Sequence, residues 1–245
     1  MDGSTNLKPA YSNPFAIMII FSISGIIRGF QKCIPLGISV GSYGLVYGML
    51  ASKAGLTLAQ ALVMCLTVFA GASQIIALEL WHSPLPIAAI LITTFIVNSR
   101  HVLMGAAIQP WVGQLSPIKA YGSLFFCADE NWALSIKAFK SGEADGGFFL
   151  GSGLCIYVFW VTAAWIGYLG GLIVEDPSVY GLDFAFIAVF IVLALSLWQG
   201  KRELLPWTVA AATATAAHIL LPGKWYILIG ALSGSLLEGW RYGRK

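Results

Sequence analysis

Three short stretches of this 245-residue chain put polar or ionisable side chains where the surroundings are apolar. The first is Asp129-Glu130, within the run Tyr121–Ile136 and followed by Asn131. Successive helical residues point about 100° apart, so two adjacent carboxylates cannot face one cavity equally. One is suited to a proton or a substrate ammonium, the other to a fixed cation. Burial and a like-charged neighbour both favour a neutral carboxyl, which suits a proton-coupled site. The plain alternative is a cytosolic break between two shorter helices.

The second stretch is Asn98-Ser99-Arg100-His101. Asn98 and His101 are three apart and share a helix face. A lone arginine at the centre of a membrane helix costs about 2.5–3.5 kcal/mol on insertion scales, so something should compensate it. The available anions are Asp129 and Glu130, and a pair between Arg100 and one of them is expected. The alternative places Arg100 at a helix end, snorkelling to water. The third stretch is Gly71-Ala72-Ser73-Gln74. Small residues allow close helix packing. Equally, a helix broken here would free backbone amides that, with the Ser73 hydroxyl, could hold a carboxylate.

The elements that must carry these residues are membrane helices. Of the chain, 58% is hydrophobic and only 10% charged, against about 45–50% and 25% in soluble domains. So few charges cannot cover a water-facing surface, and an ordinary globular enzyme is excluded. A spanning helix needs roughly 20 mostly apolar residues. Candidate runs lie near 33–51, 59–80, 85–109, 119–137, 148–173, 184–199, 205–221 and 225–240. The expected fold is all-α, a polytopic bundle of about eight spans (seven to nine), some helices broken. Residues 1–14 read as a tail and 15–245 as a single transmembrane domain. Within it, 15–32 reads as a retained interfacial helix set off by Arg28 and Lys32. Pro35 and the glycines from Gly25 to Gly48 raise the prospect of an unwound turn near the first span.

Charge placement orients the bundle. With the N-terminus inside, Lys8, Arg28, Lys32, Lys137, Lys140, Lys201, Arg202, Arg241, Arg244 and Lys245 face the cytoplasm. Lys53, Lys119 and Lys224 face outward, with the acidic Glu175, Asp176 and Asp183. That asymmetry is what the positive-inside rule expects, and it places both termini inside. No internal repeat is evident.

Other chemistry is absent. There is no phosphate-binding loop, zinc-protease helix or nucleophile elbow, and nothing resembles a nucleic-acid footprint. Cys33, Cys65, Cys127 and Cys155 lie in apolar runs without metal-ligand spacing and read as packing residues. No cofactor is expected. Lacking a nucleotide site, any active transport should be ion-coupled. Trp81, Trp111, Trp198, Trp207, Trp225 and Trp240, near span ends, read as interfacial belts.

Val68-Phe-Ala-Gly-Ala-Ser-Gln74 followed by Thr93-Thr-Phe-Ile-Val-Asn-Ser-Arg-His101 resembles the hallmark of the AzlC family of bacterial branched-chain amino-acid permeases. Leu36-Gly37, Val46-Tyr-Gly48, Asp129-Glu130, Gly181-Leu-Asp-Phe184 and Leu221-Pro-Gly-Lys-Trp225 extend the likeness over nearly the whole chain from about Arg28. The chain departs from the family pattern at Ala128, often Thr, and at Met104, often Tyr. The resemblance implies export of valine, leucine or isoleucine across the bacterial inner membrane by exchange with protons. It also implies a small AzlD-type membrane subunit as partner. On that reading Gly71, Ala72, Ser73, Gln74, Asn98 and Asp129 bind substrate, while Arg100, His101, Asp129 and Glu130 serve proton coupling or ion pairing. The rival readings are a passive facilitator for small solutes and a non-transporting assembly subunit.

Overall fold

A computed structural model of the protein describes residues 19–143, 145–173, 191, 195, 200–221 and 225–242. The expected run at 184–199 (two isolated positions apart), the acidic cluster, residues 181–184 and 222–224 and the N-terminal tail lie outside them. Among the described residues every regular element is a helix, as the composition requires. They are α1 (Ile23–Lys53), α2 (Leu58–Val68), α3 (Gly71–Glu79), α4 (Ile87–Asn98), α5 (Arg100–Val112), α6 (Pro117–Phe125), α7 (Asp129–Lys140), α8 (Gly146–Ile173), α9 (Leu204–Leu220) and α10 (Trp225–Tyr242). Three helical runs are long and apolar enough to cross a bilayer: Ile23–Lys53, Ile87–Val112 and Gly146–Ile173. Their outer faces expose Ile38, Leu91, Phe95, Val102, Leu103 and Ile166. Such a surface is an aggregation hazard in water and an ordinary exterior in lipid.

The first span corrects the sequence reading. α1 runs unbroken through Arg28, Lys32 and Pro35, with no separate interfacial helix within its 31 residues. That length is about 46 Å, well over the ~30 Å hydrocarbon core, so its first turns have room for charge outside the lipid. Arg28 and Lys32 are one turn apart and both reach Glu143, at 3.2 and 3.4 Å.

The chain divides into two compact units. One comprises Met1–Leu45, Leu62–Ala70 and Arg100–Trp165. In it α1 and α8 run parallel along a glycine seam. A Cβ on Gly29 would strike the Phe148 carbonyl, and one on Gly151 the Ile26 carbonyl. The first-span glycines are therefore packing positions. The core gathers Ile19, Met104, Ile108, Trp111, Phe139 and Phe149. Trp111 is thus a core residue, its ring tilted 5.6 Å from that of Phe139, and not part of an interfacial belt. The four cysteines are buried, as expected of packing residues.

The other unit comprises Val46–Ala61, Gly71–Ser99 and Ile166–Lys245. Its α9 and α10 pair closely, with Thr213 bonded to Ser233 and the ring of His218 against Tyr226. The Tyr47 hydroxyl donates to the Ala61 carbonyl at 3.1 Å, and the Tyr168 hydroxyl to the Leu56 carbonyl at 2.7 Å.

The runs expected at 59–80 and 119–137 are not single straight helices. The first breaks at Phe69-Ala70, the second at Phe126-Cys127-Ala128. Phe69 takes a left-handed backbone (φ 40°), rare for a side chain of that bulk, and this ends α2.

Candidate functional site

The polar stretches sit at helix ends, because each falls on an interruption. Gly71 opens α3, directly after the break. Ser73 and Gln74 in its first turns are almost fully buried. Asn98, the last residue of α4, donates from Nδ2 to Ser73 Oγ at 3.2 Å. One unit thus joins two of the three polar stretches through a side-chain hydrogen bond. The broken-helix alternative for Gly71–Gln74 is the arrangement found. Amides in the first turn of a helix have no intrahelical acceptor, and they carry the positive end of its dipole.

Ser99 interrupts the long run Ile87–Val112 only slightly. Its backbone remains α-helical, and its hydroxyl bonds back to the Ile96 carbonyl at 2.7 Å. Arg100 then opens α5.

In the other unit, Asp129 and Glu130 open α7, at a break between two shorter helices. Carboxylates are stabilised there by the helix dipole. Ala128 stands at the N-cap, where it has no side chain to cap with. Asn131 supplies the cap, its Oδ1 accepting from the Ala128 amide at 2.6 Å. Asn131 is completely buried. Its Nδ2 donates to the Phe149 carbonyl at 3.5 Å, fastening the break to α8.

Arg100 Nη1 lies 2.8 Å from Asp129 Oδ2. Both side chains are about two-thirds buried, at 32% and 28% exposure. Glu130 points elsewhere, as the 100° step demands. Among the described residues no cation lies within ion-pairing distance of Glu130. His101 follows Arg100 and is half-buried.

The sequence reading passed over two features. Asp145 is 2% exposed. It accepts from the Ser22 amide at 3.1 Å and the Gly147 amide at 2.9 Å, from the Ser22 hydroxyl, and from Arg28 Nη2 at 3.5 Å. It caps α8 and ties it to α1. Asp145-Gly-Gly before an apolar run is an N-cap signal that was there to read. The second is an aromatic cluster of Phe69, Phe125, Phe126 and Tyr157. Phe69 lies 5.0 Å from Tyr157 and 6.5 Å from Phe126. The Tyr157 hydroxyl donates to the Leu66 carbonyl in the last turn of α2 at 3.0 Å. No spacing in the sequence announces this cluster.

Interrupted apolar helices with a half-buried ion pair at their ends are the architecture of membrane transport proteins, where polar groups in spans mark solute paths. The comparisons agree. Residues 35–174 match the family model described as AzlC protein. An uncharacterized membrane protein of Archaeoglobus fulgidus is 31% identical over 216 residues, 87% of this chain and 94% of its own. The branched-chain amino acid transport protein AzlC of Bacillus subtilis is 25% identical over 205 residues, 83% of this chain and 80% of its own. An uncharacterized membrane protein of Haemophilus influenzae is 23% identical over 207 residues, 84% of each chain. No solved structure matches the chain. The class is that of helical membrane transport proteins, not enzymes. Within that class, the chain belongs to the AzlC family.

Proposed function

We propose that the protein is a secondary transporter subunit that exports branched-chain amino acids (valine, leucine, isoleucine) across the bacterial inner membrane, coupled to protons. It acts with a small AzlD-type membrane subunit, and both its termini lie inside. The observation that carries this reading is the Arg100–Asp129 pair at the mouths of two helices. It neutralises one carboxylate and leaves Glu130, among the described residues, with no cation within ion-pairing distance. Membership in the family, and the printed name of the Bacillus subtilis relative, support the substrate class.

A branched-chain amino acid is a zwitterion with an apolar side chain. Few polar groups in a greasy surround suit such a ligand. In this reading the α3 amides of Gly71 and Ala72, with Ser73, Gln74 and Asn98, receive the carboxylate. Asp129 or Glu130 takes the ammonium or the coupled proton. Arg100 and His101 set the charge of those acids. Arg100 Nε is buried without a hydrogen-bond partner among the described residues, which leaves it a donor for a passing carboxylate or water.

The test is valine efflux from loaded cells expressing Asp129→Asn and Glu130→Gln. Loss of pH-dependent efflux in either variant is expected. Normal efflux in both would overturn the proton-site assignment.

A further inference from the structure

The two interrupted runs share an architecture that their sequences conceal. The segment from Pro117 to Lys140 would extend about 36 Å if straight. It does not extend. Just before it, Gln114 Oε1 accepts from the Ile19 amide at 3.2 Å, and at its start Lys119 Nζ lies 4.8 Å over the Phe21 ring. After it, the Gly146 amide donates to the Ile20 carbonyl at 2.7 Å. Both flanks therefore meet the same few residues at the N-terminal end of α1. Between them α7 runs parallel to α5: Arg100 meets Asp129, Trp132 Nε1 donates to the Met104 carbonyl, and the Trp111 ring packs against Phe139. The chain enters through α6, turns at Phe126–Ala128 and leaves through α7 at the end where it entered.

The segment from Leu58 to Glu79 behaves likewise. Straight, it would extend about 33 Å. Yet Ala54, before it, lines one cavity with Trp81, His82, Ser83 and Leu85, after it. Those residues mark the C-terminal end of α1. The chain enters through α2, turns at Phe69-Ala70 and leaves through α3.

We infer that 58–79 and 117–140 are two re-entrant hairpins that open at the two different ends of α1, so that the chain holds two span-plus-hairpin repeats of inverted sense: Ile23–Glu79 and Ile87–Lys140. The span of the second repeat, Ile87–Val112, begins beside the Trp81–Leu85 turn and ends beside Ile19. It therefore crosses in the sense opposite to α1. Phe69 and Phe126 hold matching places at the two hairpin turns, and their rings lie 6.5 Å apart. Five residues beyond each stands a completely buried amide, Gln74 and Asn131.

Neither α6 nor α7, at nine and twelve residues, is long enough to cross a core of ~30 Å alone. Irregular backbone at membrane depth is tolerated where protein covers it, and Phe69, Phe126 and Tyr157 cover each other here. Charge agrees as well. Re-entry moves Lys119 to the face that holds Arg28, Lys32, Lys137 and Lys140, the direction that the positive-inside rule favours. Two hairpins in place of two crossings leave every later loop on its original side. Inverted repeats of this kind let one half rock against the other around a fixed site.

The test is labelling of single added cysteines by a membrane-impermeant maleimide in intact and permeabilised cells. The four native cysteines are buried and give a low background. Lys53→Cys and Ser83→Cys should label from one face, and Lys119→Cys and Ser141→Cys from the other. His82→Cys and Ile118→Cys are the second choices should Ser83→Cys or Lys119→Cys fail to accumulate. Splitting of either pair across the membrane overturns the inference. Labelling reads topology whether or not the protein moves an amino acid, so this result and the transport assignment fail separately.

Discussion

Arg100 and Asp129 stand 29 positions apart in sequence and meet at 2.8 Å, each at the first turn of its own helix. The position of each makes the pair possible. α5 and α7 run side by side, and the arginine compensates a carboxylate that lipid would otherwise penalise.

The charge pair can be tested by exchange. Arg100→Asp with Asp129→Arg should recover part of the efflux that either single change abolishes. Either single change sets two like charges side by side in a partly buried place, a cost of about 1–3 kcal/mol or more after allowance for partial exposure. Efflux in the double variant no better than in the singles would show that the pair does more than neutralise charge.

The glycine seam between α1 and α8 makes a prediction about stability. Gly151→Ala drives its methyl into the Ile26 carbonyl, whereas Gly122→Ala meets nothing within 4 Å. Overpacking of about 1–3 kcal/mol should lower the melting temperature of Gly151→Ala by about 4–10 °C in detergent. Gly122→Ala should match the parent. Equal melting of the two variants would contradict the close approach.

Asp145 should be the most sensitive acid outside the polar site. Asp145→Ala orphans the Ser22 and Gly147 amides and leaves Arg28 with Glu143 as its remaining carboxylate partner among the described residues. A loss of about 1–3 kcal/mol per buried group left unbonded should appear as a lowered melting temperature. Asp145→Asn, which keeps an acceptor for the amides, should lose less. The reverse order would show that charge, not capping, is its contribution.

Tyr157→Phe deletes the hydroxyl bonded to Leu66 and keeps the ring on Phe69 and Phe126. A net loss of about 0.5–1.5 kcal/mol is expected, with the labelling topology unchanged. Phe69→Gly relieves the left-handed backbone and removes the ring. It should therefore disturb transport more than it disturbs melting temperature. A fall in melting temperature without a fall in efflux would contradict that.

Much of this was legible from residue types. Apolar composition dictates an all-helical membrane protein, and the structure bears that out. The lone arginine demanded an anion, and Asp129 is there. What stayed hidden was direction. A run such as Leu58–Glu79 has the length and greasiness of a span, and hydropathy cannot tell a straight helix from two half-helices folded back. The clue lay in Phe69, whose left-handed backbone is set by packing on Tyr157 and Phe126 and carries no sequence signature. Gly55 and Gly142, at φ 80° and 93°, mark real turns that were readable, because glycine adopts that conformation without steric cost. Arg28 and Lys32 misled in the other sense. They looked like a boundary and are instead a charged face of one continuous helix, paired with Glu143 and Asp145 within the unit.

We propose that branched-chain amino acids cross through this chain by a proton-linked path at Asp129 and Glu130. Proteoliposome counterflow with labelled valine, leucine, isoleucine and glutamate at two pH values, with and without the small partner subunit, tests it most directly. Uptake of the three branched-chain amino acids but not of glutamate, dependence on pH, and loss of that dependence in Glu130→Gln are expected. Absence of amino-acid movement in every arm, or flux indifferent to pH and to Glu130→Gln, would contradict it.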